Sequence, residues 1–146
     1  MTGLMLKGII KGRTVNRATI TDDINNLFDR YVSRLTENGV EIILAPGMVT
    51  PAVLHGSSNE NKLQGVYQFM FSTLEVCTGA MPITKVREDE QYYESDKDDK
   101  IINSIKLNME NSKGLPIGIQ VSGLPWTDEK VFKVMEVIEQ GVNYVR

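Results

Sequence analysis

Apolar residues recur at Ile24, Leu27, Phe28, Tyr31 and Leu35 with polar residues between them, the spacing that turns one face of a helix toward a core. Asn38 and Gly39 follow, and glycine takes the left-handed conformation that closes many helices, so the helix is predicted to stop there. The pattern then changes. Residues 40 to 47, VEIILAPG, are short and β-branched and run into a proline that removes a backbone donor, which predicts a strand that stops pairing at that point. The stretch MVTPAVLHGSSNENK reads as loop. Residues 64 to 76 predict a second helix with Val66, Phe69, Met70 and Thr73 roughly on one side. Tyr67 and Phe71 make it apolar nearly all round, so deep burial is expected.

A second strand is predicted at AMPITKV, where Ile83, Thr84 and Val86 are β-branched. REDEQYYESDKDDK after it is too polar to join a core and reads as a surface loop. Residues 101 to 109 predict a third helix. In GLPIGIQVSGLPW, residues 114 to 126, strand alternation puts Ile117, Ile119 and Val121 on one side and Gly118, Gln120 and Ser122 on the other. Thr127 is placed to cap a last helix, whose first turn carries Asp128 and Glu129 beside the positive end of its dipole. Val131, Val134, Met135 and Ile138 form its buried stripe, and Gly141 is expected just beyond its end. Helix and strand therefore alternate from first to last, which predicts an α/β layer structure with crossovers packed on a sheet. The chain holds no internal repeat or low-complexity tract.

Composition narrows the classes. The 146 residues, 41% hydrophobic and 24% charged, suit one soluble domain with a modest core. A net charge of -3 without a clustered cationic face argues against a nucleic-acid partner. The single cysteine, Cys77, closes no internal disulfide and makes no zinc site, which points to a reducing, intracellular setting. No apolar run approaches the roughly 20 residues of a spanning helix, and the opening MTGLMLKGII is too interrupted for a signal peptide.

Candidate chemistry is sparse. HGSSNE, residues 55 to 60, sets His55 beside Ser57 and Ser58. A serine nucleophile needs a base held at hydrogen-bond distance and oriented by a third group, with donors for the oxyanion. Residues of these types side by side more often bond their own backbone in a solvated turn, and that reading is preferred. Cys77, flanked by apolar residues, reads as a small buried hydrophobe. Residues 88 to 100 carry seven carboxylates and two lysines, but lack the glycine and ligand spacing of a calcium loop, so no metal site is expected. Lys7, Lys11, Arg13 and Arg17 are interleaved with Leu4, Met5, Leu6, Ile9 and Ile10. Such a basic amphipathic segment can rest on an anionic membrane surface; an ordinary amphipathic helix is the preferred reading.

GLPIGIQVSGLPW resembles the C-terminal strand of the amidase signature family, enzymes that hydrolyse carbon–nitrogen amide bonds. VEIILAPGMVTPA looks like that family's strand of aspartate, apolar run, threonine or serine, and proline. FSTLEVCTGAMPITKV looks like its helix running into small residues and a short proline-bearing strand. The pieces fall in the family's order over most of residues 13 to 140. LPW before an acidic turn, and MPITKVREDE before an acidic insertion, look most like the fatty-acid amide hydrolases.

The resemblance implies the C-terminal part of an α/β/α sandwich, a mixed sheet covered by helices, with residues 1–146 as one partial domain. The family's serine nucleophile, bridging serine and lysine base lie in and upstream of a glycine- and serine-rich signature that these 146 residues do not contain. No catalytic residue is therefore assigned, no cofactor is implied, and the chain alone is expected to be inactive. The expected partners are a missing N-terminal amidase core or a full-length amidase, an acyl amide lipid as substrate, and a membrane surface at the basic segment. The expected location is cytoplasmic or peripheral on an internal membrane. The helix matching residues 62 to 76 lines the lipid tunnel in those relatives, and the match puts Gly65 and Phe69 on the substrate side. The small face of residues 118 to 122 is expected to admit a neighbouring helix or the missing core closely; the plainer reading is that Gln120 satisfies a buried backbone group. A second reading of the whole chain is a non-catalytic interaction module derived from an amidase.

Overall fold

The computed structural model describes residues 17–59, 61–142 and 144. The chain divides into two compact units, Met1–Gly39 and Val40–Arg146.

In the first unit, α1 spans Arg17–Glu37. Its predicted stripe of Ile24, Leu27, Phe28, Tyr31 and Leu35 is half-buried, while the residues between are exposed apart from Val32. The end is built as expected. Asn38 returns its backbone N–H and its side-chain amide to the Arg34 carbonyl, at 3.3 and 2.7 Å. Gly39 takes φ +64° and donates to Thr36 O. Residues 4 to 13 of the basic segment lie outside the described residues, and its last cation, Arg17, opens α1.

In the second unit the order is β1 (Ile42–Pro46), a 3₁₀ turn (Lys62–Gly65) leading into α2 (Val66–Thr73), β2 (Thr78–Lys85), a 3₁₀ turn (Glu88–Glu90), α3 (Lys100–Met109), β3 (Pro116–Gly123) and α4 (Asp128–Val142). The predicted alternation is present. The sheet order is β1-β3-β2, with β3 antiparallel to both neighbours. β1 and β2 therefore run the same way with β3 between them. The register sets Leu44 opposite Val121 on one side and Ala80 opposite Gln120 on the other. A shift between Pro82 and Thr84 marks a bulge, where the extra residue bends and twists the strand.

The sheet's apolar face meets α4. Met81, Val121 and Val131 are buried together, with Ile119, Val134, Met135 and Ile138 packed around them, so three turns of α4 lie over the middle of β3 and β2. Gly79 admits this helix: a Cβ there would fall 2.2 Å from Met135 Sδ. Two expectations about α4 are corrected. It continues through Val142, so Gly141 sits inside it, exposed, with open space around its Cα. Nor does the Thr127 hydroxyl accept from the first turn. It donates to Leu124 O at 2.6 Å, and only the Thr127 carbonyl joins the helix, accepting from Val131 N–H at 3.1 Å.

α3 has a full cap, since Asp99 Oδ1 accepts from both Ile101 and Ile102 N–H at 2.9 Å. The acidic segment before it is a surface loop, as predicted. Arg87 closes its 3₁₀ turn by donating backbone N–H to Glu90 Oε2 at 2.9 Å and pairing its guanidinium with the same carboxylate at 2.8 Å, while Lys113 pairs with Glu88. No described helix is long and apolar enough to cross a membrane.

Candidate substrate-facing wall

Gln120 is 4% exposed and donates its amide to Pro46 O at 2.8 Å. It thus satisfies the end of the neighbouring strand, where a proline interrupts regular pairing. Ser122, fully buried, donates to Cys77 O at 3.2 Å and accepts from the Thr78 hydroxyl at 3.1 Å. Gly118 is pressed against β2 itself, since a Cβ built there would lie 2.9 Å from Met81 O. The close approach is therefore made by an adjacent strand at its bulge, and Gln120 does what the plainer reading assigned to it.

Cys77 joins the edge of the sheet–α4 core, half-buried. Burial pushes its thiol above the ordinary thiol range; a hydrogen bond with Asp128 and the negative charges of Asp128 and Glu129 push the same way. A thiol held protonated is a poor nucleophile.

The structure brings Gly65 and Phe69 together. Gly65 is buried at the end of the 3₁₀ turn. A Cβ there would touch the Phe69 ring at 3.7 and 3.9 Å, so the ring lies over the bare glycine one helical turn earlier. The expectation that α2 is deeply buried is corrected. Only Phe71 among its eight residues is buried; Phe69 is 50% exposed, and Tyr67 and Met70 are exposed as well. The helix has two turns, and within this chain its inner side is filled by Phe71 followed by Leu74 and Val76. What remains is an exposed apolar surface at Phe69, whose ring lies close to the bare Gly65. It suits contact with an apolar chain.

The Ser57 hydroxyl is committed elsewhere. Ser57 donates its hydroxyl to Leu54 O at 2.8 Å and accepts from Asn61 Nδ2 at 3.1 Å, while His55 and Ser58 are exposed. Among the described residues no hydrogen bond joins His55 to either serine, and no three His, Cys, Asp or Glu side chains converge on a metal position.

Sequence reasoning missed a buried amide network at the entrance to α2. Asn61 Oδ1 accepts from Gln64, Ser104 and, at 2.9 Å, Asn108, and Gln64 Oε1 accepts from the Thr50 hydroxyl. Its one sequence signal is the spacing of Asn61 and Gln64, three apart and so on one side of a helical turn.

These observations meet the comparison with known proteins. The model of the amidase family matches residues 6–132, and the chain belongs to that family; its helices and antiparallel strands fit a mixed α/β portion of an amidase domain. It is similar to fatty acid amide hydrolase 1 of Caenorhabditis elegans, 29% identical over 127 residues, which cover 83% of this chain and 22% of that protein. It is also similar to fatty-acid amide hydrolase 1 of Sus scrofa, 28% identical over 108 residues, 69% of this chain and 18% of the relative. The chain spans about a fifth of the length of these two curated relatives.

Proposed function

We propose that this chain is the C-terminal wall of an amidase that cleaves the carbon–nitrogen bond of acyl amides, with the bond-breaking groups supplied by residues outside it. The Phe69 ring, half exposed to solvent and close to the bare Gly65 one turn earlier, carries the reading. An apolar surface with an aromatic anchor suits a hydrocarbon chain, since each buried methylene contributes about 0.8 kcal/mol. The names of the relatives point to the same substrate class. In this reading the chain shapes the wall, and the chemistry happens elsewhere.

The test is reconstitution. The chain is co-expressed with the N-terminal region of a fatty-acid amide hydrolase truncated before the matching segment, and hydrolysis of a long-chain acyl amide is followed. The expected result is turnover by the pair and none by either part alone. With Phe69→Ala, the KM for a long-chain amide should rise about tenfold, the scale of losing about 1.5 kcal/mol of apolar contact, and a short-chain amide should be little affected. Association without hydrolysis would favour the non-catalytic interaction module. Turnover by the 146 residues alone, lost in Ser57→Ala, would overturn the proposal.

A further inference from the structure

Three donors from two segments converge on one oxygen at the entrance to α2. Asn61 Oδ1 takes donors from Gln64, from Ser104 and from Asn108, the last two on α3. Asn61 Nδ2 donates back to Ser57 O at 2.8 Å, and Asn108 Oδ1 accepts from Leu54 N–H at 3.2 Å. Thr50 closes the far side through Gln64. Thr50, Asn61, Gln64 and Asn108 are all more than nine-tenths buried. In such surroundings an amide that loses its partner favours any conformation that finds it another, by about tenfold or more.

The network bears on the wall through the backbone. Gln64 immediately precedes Gly65. Its carbonyl accepts from Val49 N–H at 3.2 Å and its own N–H donates to Asn61 O at 2.9 Å. The residue on which the Phe69 ring rests is thus fixed by contacts reaching back to residue 49 and across to α3, whereas the ring itself is half in solvent. We infer that Asn61, Gln64 and Asn108 are positioning residues: they hold Gly65, and through it Phe69, in the place where an acyl chain is met. This rests on the proposed function for its substrate, but the mechanical part stands on its own.

The test uses the intact chain labelled with 4-fluorophenylalanine. Its four phenylalanines give four ¹⁹F lines, assigned by Phe→Leu exchange at each. In Asn108→Ala the Phe69 line should move and broaden while the Phe132 line, on the exposed side of α4, stays in place. Ser104→Ala, which removes one donor at a half-buried position, should move the Phe69 line the same way by less, and serves if Asn108→Ala does not fold. Val131→Ala is the control. It empties part of the sheet–α4 core and lowers stability, yet should leave the Phe69 line unmoved. A Phe69 line unchanged in the folded Asn108 and Ser104 variants, or moved as far by Val131→Ala, would overturn the inference. In the reconstituted enzyme Ser104→Ala should raise KM for a long-chain amide several-fold at constant kcat; failure to reconstitute would count against the proposed function and leave the ¹⁹F result to decide the network.

Discussion

At Gly118 the atom that matters is one the residue lacks. A Cβ there would sit 2.9 Å from Met81 O, against backbone that cannot swing aside. Valine favours strands by at most about 1 kcal/mol, whereas overpacking of a fitted site costs about 1–3 kcal/mol, so the steric term wins. Gly118→Val should lower the urea midpoint accordingly, and an unchanged midpoint would mean that the bulge at Pro82 can move. Cys77 predicts a pH dependence. Its folded thiol keeps the proton to higher pH than an ordinary one, so above the ordinary thiol value the unfolded chain binds fewer protons than the folded one, and stability falls as pH rises through that window. Unfolding midpoints from about pH 7.5 to about pH 9.5 should decline more steeply for the natural chain than for Cys77→Ala. Parallel slopes would rule out the raised thiol as the cause.

At the scale of elements, what could be read from the sequence was whatever a single periodicity decides. The stripes at residues 24 to 35 and 131 to 138 lie half-buried or buried as their spacing predicts, because a helix this long has only one way to turn four or five such apolar side chains inward. Strand order is different. Nothing in Pro116–Gly123 says that it lies between the other two strands, since register depends on partners far along the chain. The bulge that makes glycine necessary at position 118 was hidden for the same reason. α2 shows the converse error. Its composition suggested burial, but periodicity counts apolar residues without knowing whether a facing surface exists, and here Tyr67, Phe69 and Met70 face solvent. The start of α4 was read correctly after Thr127, but its C-terminal end was misplaced because glycine permits a boundary without imposing one.

At the scale of the molecule, the family was legible because ordered motifs survive when pairwise identity is below a third, and the match over residues 6–132 covers every described element of the sheet. Of the site, Gly65 and Phe69 were accessible only through that resemblance. The structure adds that a side-chain carbon at Gly65 would meet the Phe69 ring, as side chains four apart on a helix do. The amide network could not be read, since Thr50, Asn61, Gln64 and Asn108 are spread over 59 positions and each alone looks like a surface polar residue. Their burial is a property of the assembled unit, not of any segment.

The chain's one tryptophan, Trp126, stands 94% exposed just before α4, with φ at +62°. An indole already in water emits at long wavelength whether the polypeptide is folded or not. Intrinsic emission should therefore shift little on denaturation here, even as circular dichroism reports the full transition. The same indole would move sharply to the blue if another protein surface came to cover it. A colour change would thus report company rather than collapse.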